Sequence, residues 1–152
     1  RELADCLGVR VGVVVPGKEV EGMSPALIAA GADEIHCVQS PGLESFDPVV
    51  YRKAVGDVIA KHWPQIVLFA ATPQGRVLAP MISYRLGCGL TADCTGLEIR
   101  DHSRRGEVAI LAQTRPALGG NVMATICTMG SKSQMATARP GVMRRLPPDP
   151  AR

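Results

Sequence analysis

Short unbroken apolar runs alternate with helix-spaced apolar residues over the first half of the chain. The runs at residues 10–15, 34–39 and 65–71 are typical of buried parallel strands. Between the last two runs, apolar residues recur at intervals of three and four from Val50 to His62, which predicts a helix. The order strand, helix, strand, helix, strand, helix predicts an α/β fold in which helices cover both faces of a parallel sheet, a three-layer arrangement.

Turn chemistry marks where these helices begin and end. Ser24, Asp47 and Thr72 each precede a proline, a pattern in which the side chain caps the helix and the proline opens it. Gly8 and Gly87 are placed to stop the first and the last of the predicted helices. Because the chain opens inside a predicted helix, we expect that a first strand and the start of that helix are missing.

The pattern changes after Gly87, where strand-like runs follow one another with no helix between them. These runs predict additional strands that extend the sheet or cover it as a mixed or antiparallel layer, with a turn at 101–106. The runs occupy residues 90–99, 107–113, 121–128 and 134–138.

Two of these runs end on an arginine that is followed by a proline, Arg115 and Arg139. A residue before proline is held extended, so each guanidinium should project from a defined place. Together with Gln113, Thr114 and Asn121, these arginines predict a recognition surface for a partner or an anionic cofactor. The alternative is that both arginines form ordinary surface ion pairs.

A second anion site is suggested by Thr72, Gly75 and Arg76, which follow the third predicted strand at a helix start. This position often binds phosphate in α/β sheets. Helix capping explains the same residues, because one glycine and one arginine fall short of a nucleotide-binding fingerprint.

Asp93 stands alone as a carboxylate, and we expect it to cap a turn or to pair with an arginine. No pattern combines a nucleophile, a base and an orienting group, which argues against a hydrolase.

Composition and charge narrow the class of protein. The 152 residues suffice for one domain, and an aromatic content of 3% requires a core of aliphatic side chains. A net charge of +3 is too mild to indicate nucleic-acid binding. Scattered histidines argue against a metal site, and the absence of a membrane-length apolar run predicts a soluble, intracellular protein.

Five cysteines without a C-x-x-C pair are typical of a reducing compartment, where thiols serve as small apolar fillers. Cys88 and Cys94 flank the segment GLTAD and leave open the alternative of a redox or metal pair.

Five segments, taken in order, resemble the alpha subunit of electron transfer flavoproteins, including the FixB-type members. The resemblance extends from Arg1 to Met143. The segments are ADEIHCV, PQIVLFAATPQGRVLAP, GLTADCTGLEI, QTRPALGGNVMATI and QMATARPGV.

This resemblance implies an amino-terminal alpha-subunit domain at residues 1–143, with an adenine-nucleotide-hydrolase-like, Rossmann-like fold. Residues 144–152 would then be a linker toward an absent FAD-binding domain. The domain is expected to act as a scaffold and to dock an electron transfer flavoprotein beta subunit. The heterodimer would carry electrons from acyl-CoA or other flavin dehydrogenases to a quinone reductase or another acceptor, as an electron carrier without a substrate of its own.

The resemblance also implies where cofactors are held. FAD of the parent complex would be held mainly by the absent carboxyl-terminal domain, and AMP or a second FAD by the beta subunit, so no cofactor is expected in this chain alone. By motif, the residues near a flavin would be Gln113, Thr114, Arg115, Asn121 and Arg139. A stand-alone adenine-nucleotide-binding module is the alternative function, and the bacterial cytoplasm is favoured over the mitochondrial matrix.

Overall fold

Helices and strands alternate from Glu2 to Cys94, and strands follow one another after that. This computed structural model describes residues 1–102 and 107–149. The chain divides into two units, Arg1–Lys61 with the segment that begins at Arg145, and His62–Arg144. Parallel strands accompanied by helices occur in each unit, so the predicted α/β class is confirmed.

The first unit contains two parallel strands that pair directly with each other. Their register runs from Gly12 opposite Glu34 to Gly17 opposite Gln39. The second strand has the predicted bounds, whereas the first begins and ends two residues later than the run at 10–15. The elements are α1 (Glu2–Leu7), β1 (Gly12–Gly17), α2 (Ser24–Ala29), β2 (Glu34–Gln39) and α3 (Pro48–His62), with short 3-10 turns at Glu21–Met23 and Pro41–Leu43.

Local capping sets two of these helix ends. Gly8 ends α1 in the left-handed region at φ 65°, as predicted for a glycine stop. The Asp47 carboxylate starts α3 by accepting hydrogen bonds from the amides of Val49 (2.8 Å) and Val50 (3.0 Å). The predicted cap at Ser24 is wrong. Ser24 is already helical at φ −57° and ψ −47°, because the preceding 3-10 turn leads directly into α2, and a cap needs an extended backbone.

The second unit combines a parallel sheet with an antiparallel one. The parallel sheet has the strand order β3-β8-β4, and the antiparallel sheet has the order β5-β6-β7. The last strand of the chain therefore lies between two strands that precede it by many residues. The elements are β3 (Ile66–Ala70), α4 (Pro73–Leu86), β4 (Leu90–Cys94), β5 (Gly96–His102), β6 (Glu107–Ala117), β7 (Val122–Cys127) and β8 (Gln134–Ala138), with a 3-10 turn at Leu118–Gly120.

The run at 90–99 is two strands, which corrects the prediction of one. The chain leaves the parallel sheet after Cys94 and enters the antiparallel sheet at Gly96. The register between β4 and β8 shifts between Thr91 and Cys94, so the end of β4 is already irregular. The predicted turn at 101–106 is also revised, because residues 101 and 102 belong to β5, and the remaining four lie outside the described residues.

The first Arg-Pro pair does not end its strand, in contrast to the prediction. Arg115 lies opposite Ala124 inside β6, and the strand continues to Ala117. Pairing with β5 stops at Thr114, so Pro116 lies where β6 has a hydrogen-bonded neighbour on one side only. A proline is tolerated at such an edge because its missing N–H removes no ladder hydrogen bond there.

The core of the second unit is aliphatic, as the low aromatic content predicts. Leu111 on β6, Met135 on β8 and Ile82 on α4 are each 0% exposed. Residues of β8 are buried almost throughout, which follows from its position between two parallel neighbours.

Candidate functional site

Charged side chains gather at the carboxyl ends of β3, β4 and β8. Because these strands are parallel, their carboxyl ends share one edge of the sheet, the edge where α/β folds bind ligands. β3 leads to Arg76 at the start of α4, β4 carries Asp93, and β8 leads to Arg139. With Arg115 from β6, these residues form what we call the arginine cluster: Arg76, Asp93, Arg115 and Arg139.

Asp93 occupies a distorted position within β4. Its φ of 62° lies in the left-handed region, which side chains other than glycine seldom adopt. The surrounding backbone is fixed from β8, because the Asp93 amide donates to Thr137 Oγ1 (2.7 Å) and the Arg139 amide donates to the Cys94 carbonyl (2.9 Å). The distortion turns the Asp93 carboxylate toward the guanidinium that follows β8.

Asp93 binds two guanidiniums at once. Arg139 forms a two-bond fork in which Nε donates to Oδ1 (3.1 Å) and Nη2 donates to Oδ2 (2.6 Å). Arg76 Nη2 lies 3.3 Å from Oδ1, while its Nε donates to the Ala71 carbonyl (2.9 Å). The expectation that Asp93 pairs with an arginine is confirmed.

The fork shifts the titration of both partners. Hydrogen bonds from Arg139 lower the pKa of Asp93 below its usual value, and the Asp93 carboxylate raises the pKa of Arg139. The Asp93 side chain is 22% exposed and that of Arg139 is 40% exposed, so solvent screens the pair only in part. Asp93 is therefore ionised at neutral pH, and the three arginines leave the cluster with a net charge of +2.

Arg115 completes the cluster from the antiparallel sheet. Its positive charge contributes to lowering the pKa of Asp93, after the larger effects of Arg139 and Arg76. The Arg115 Nε is buried and has no hydrogen-bond partner among the described residues. A buried guanidinium N–H without an acceptor fits a site that presents donors to an anionic ligand.

The two buried thiols are engaged with neighbouring backbone. Cys88 Sγ donates to the Leu86 carbonyl (3.6 Å), and Cys94 Sγ donates to the Thr91 carbonyl (3.5 Å). Burial raises the pKa of Cys94, which disfavours the reactive thiolate. Cys6 and Cys37 are exposed, so the description of the cysteines as buried fillers holds for Cys88 and Cys94 and not for these two.

Thr72 and Gly75 have defined roles in the start of α4. Thr72 Oγ1 accepts from the Gly75 amide (3.2 Å), which is a helix cap. A Cβ at Gly75 would lie 1.9 Å from the Ala70 carbonyl oxygen, so only glycine fits at this approach of the helix to β3. These contacts support helix capping and close packing as the roles of Thr72 and Gly75. Arg76 contacts Asp93 and belongs to the arginine cluster.

The other predicted residues of β6 and its turn are more dispersed. Gln113 is 0% exposed, because β6 is covered on both faces at Leu111, Ala112 and Gln113, so its expected place on a recognition surface is wrong. Thr114 Oγ1 lies 2.9 Å from Thr125 Oγ1 on the neighbouring strand. Asn121 is exposed in the turn between β6 and β7, beyond the pairing of Arg115 with Ala124.

Sequence reasoning missed the central place of Asp93 and the contact from Thr137. The only sequence signal was a lone carboxylate between two threonines within a predicted strand run. Two structural findings bear on other site classes. In the part of the chain that the structure describes, no group of three or more His, Cys, Asp or Glu side chains could hold a metal ion. Over residues 1–102 and 107–149, no helix has the length and apolar character needed to cross a membrane.

The fold and this site define an α/β domain with a cationic sheet edge, and comparison with known proteins gives the family. Residues 1–152 match the family model described as the electron transfer flavoprotein domain. The chain is 47% identical over 145 residues to the electron transfer flavoprotein subunit alpha of Thermoanaerobacterium thermosaccharolyticum, which covers 95% of this chain and 42% of that protein. It is 39% identical over 151 residues to protein FixB of Clostridium saccharobutylicum, covering 99% and 43% respectively.

The chain belongs to the electron transfer flavoprotein family, among the alpha-subunit and FixB members, as the resemblance implied. A third relative, at 36% identity over 162 residues, is the acryloyl-CoA reductase electron transfer subunit beta of Anaerotignum propionicum, with 95% of this chain and 44% of that protein covered. The chain spans about two fifths of the length of these curated relatives.

Proposed function

We propose that this chain is the part of an electron transfer flavoprotein alpha subunit that presents the arginine cluster to a flavin of the complex. The observation that carries the proposal is the convergence of Arg76 and Arg139 on Asp93 at the carboxyl edge of a parallel sheet, the edge where α/β folds bind ligands. Arg115 adds a third positive charge. Family membership supplies the class of cofactor, because the family is one of flavoproteins.

The residues of the cluster fit a flavin that gains negative charge on reduction. A bound flavin supplies the electron-transfer chemistry, and the protein tunes it through charges and hydrogen bonds near the ring. Two arginines would favour the reduced, anionic form of the flavin. Arg139 is held in place by its two hydrogen bonds to Asp93, and the buried Nε–H of Arg115 has no acceptor among the described residues. Asn121 and Thr114 are peripheral to this role, and Gln113, being fully buried, would support the fold of β6.

The wider complex follows the family. The chain would scaffold and dock a beta subunit, with FAD held mainly by another domain of the alpha subunit and AMP or a second FAD held by the beta subunit. Electrons would pass from acyl-CoA or other flavin dehydrogenases to a quinone reductase or another acceptor. The name of the Anaerotignum propionicum relative, an acryloyl-CoA reductase subunit, supports the link to acyl-CoA chemistry, and the bacterial relatives support a bacterial cytoplasmic location.

Substitution of the cluster arginines tests the proposal in the flavin-loaded complex of the full-length subunit. Loss of one positive charge beside the flavin should disfavour its reduced form, so R139Q and R115Q should each lower the midpoint potential. We expect about a tenfold change in the one-electron equilibrium, or about 59 mV, measured by spectroscopic redox titration. R100Q removes a charge from β5, where Arg100 is paired with Glu98, and serves as the matched control.

Two results would decide against this function. Midpoint potentials and subunit affinities that stay at the wild-type value in both R139Q and R115Q would place the cluster away from any flavin. An equal shift of the midpoint potential in R100Q would show that the effect depends on the net charge of the protein and does not depend on the arginine cluster. The nucleotide-module alternative has less support, because Thr72 and Gly75 are used by the helix start. Calorimetric binding of AMP that disappears in R76Q would revive it.

A further inference from the structure

Within the arginine cluster, the unusual residue is the single carboxylate. The oxygens of Asp93 accept hydrogen bonds from two guanidiniums, those of Arg76 and Arg139, which come from distant segments of the chain. A site that only needed positive charge would present the arginines without a partner. The position of Asp93 is also costly, because a non-glycine residue at φ 62° carries backbone strain that the surrounding structure must sustain.

The surrounding structure does sustain this geometry through contacts that reach Asp93 and Cys94 from the end of β8. The hydroxyl of Thr137, a residue that is 1% exposed, accepts a hydrogen bond from the Asp93 amide. The Arg139 amide donates a hydrogen bond to the carbonyl of Cys94, the residue after Asp93. The strand register between β4 and β8 is interrupted at this place. Backbone strain, a register shift and the two hydrogen bonds from Arg139 therefore all occur at Asp93.

We propose that Asp93 is the counter-ion that sets the charge which the cluster presents to the flavin, and that it positions Arg139 through the fork. This inference rests on the proposed function, because it assumes a flavin near the cluster. With Asp93 in place the cluster has a net charge of +2; without its carboxylate the charge would be +3 and Arg139 would lose its fixed orientation. Asp93 thereby limits how strongly the reduced flavin is stabilised.

The test compares three variants of the full-length subunit in its flavin-loaded complex: D93N, R139Q and the double variant D93N/R139Q. Asparagine suits this position because it tolerates the left-handed backbone and keeps the shape of the side chain while removing the charge. D93N should raise the flavin midpoint potential, with about a tenfold change in the one-electron equilibrium, or about 59 mV. R139Q should lower the potential, and the double variant, which removes a neutral pair, should return close to wild type.

Opposite shifts that cancel in the double variant are the result that supports a counter-ion. A purely structural role predicts that the effects of D93N and R139Q have the same sign and accumulate. E98Q is the matched control, since Glu98 is a carboxylate on β5 that pairs with Arg100 outside the cluster. A wild-type potential in E98Q is expected, and a shift equal to that of D93N would overturn the assignment.

A second readout does not depend on the flavin. In thermal unfolding of the full-length protein, D93N and R139Q should each lower the midpoint, and the double variant should lower it by less than the sum, because the two residues contact each other. If D93N does not assemble, recovery of the potential from R139Q to D93N/R139Q carries the test.

The outcomes separate this inference from the proposed function. A lowered potential in R139Q with an unchanged potential in D93N would keep the flavin site and overturn the role of Asp93. Unchanged potentials in R139Q and R115Q would overturn the flavin site itself, and the inference with it. Coupling in unfolding would then show only a structural ion pair.

Discussion

Replacement of Gly75 by alanine should open the start of α4 and with it the arginine cluster. The Cβ of an alanine would lie 1.9 Å from the carbonyl oxygen of Ala70 and 3.1 Å from its carbon, both of them backbone atoms. A separation below 3.0 Å is essentially never observed, so the helix start or β3 must move by about 1.1 Å. Such a shift would also displace Arg76, the next residue, from its 3.3 Å contact with Asp93.

The magnitude follows from two opposing terms. Forcing an extra methyl group into a closely packed place costs about 1–3 kcal/mol or more, and the backbone on the other side of this contact cannot rotate away. Alanine gains about 1 kcal/mol over glycine in helix propensity. We expect the upper end of the steric cost and therefore a net local destabilisation of about 2 kcal/mol.

Hydrogen exchange of β3 and α4 amides in the full-length protein measures this local opening directly. A loss of about 2 kcal/mol corresponds to exchange faster by roughly 30-fold, because each 1.4 kcal/mol is a factor of ten. G22A is the matched control, since a Cβ at Gly22 meets nothing within 4 Å in its 3-10 turn. Exchange at β3 and α4 in G75A as slow as in wild type would refute the steric reasoning.

Two further predictions concern the ion pair and the core. The lowered pKa of Asp93 means that its pair with Arg139 stabilises the fold above about pH 4, the usual value for an aspartate, and that this contribution is lost as the pH falls further. Urea denaturation should therefore show a deficit of D93N relative to wild type at pH 7 that shrinks at pH 3, whereas a constant deficit would contradict the linkage. In the same assay, M135A should destabilise the protein by about 2–5 kcal/mol, because Met135 is 0% exposed. The control M123A should change the stability little, because Met123 is 56% exposed. Equal losses of stability in the two variants would contradict the assigned core.

Local sequence patterns predicted much of the fold for a physical reason. Helix ends depend on contacts between residues a few positions apart, such as the Asp47 carboxylate with the amide of Val49, or the left-handed glycine at Gly8. A strand such as β6 is visible as an apolar run because burial selects side chains such as Ile110 and Leu111. Where two local signals competed, as at Ser24, the preceding turn decided and the prediction was wrong.

The residues of the candidate site could be suggested individually from sequence, but their assembly could not. Arg115 and Arg139 stood out because each precedes a proline, and Arg76 because it follows a strand. Gln113 shared a motif with Arg115, yet the structure buries it, since coverage of β6 on both faces depends on distant segments.

The sequence by itself determined the family, the α/β class and the local starts and stops of most helices. Only the tertiary structure decided that β8 lies between β3 and β4 and so brings Arg139 to Asp93, 46 residues away in sequence. Pairing between strands is a contact between distant segments, and no periodicity within either segment encodes its partner. The arginine cluster is a product of that pairing, and its charge balance could be identified only from the structure.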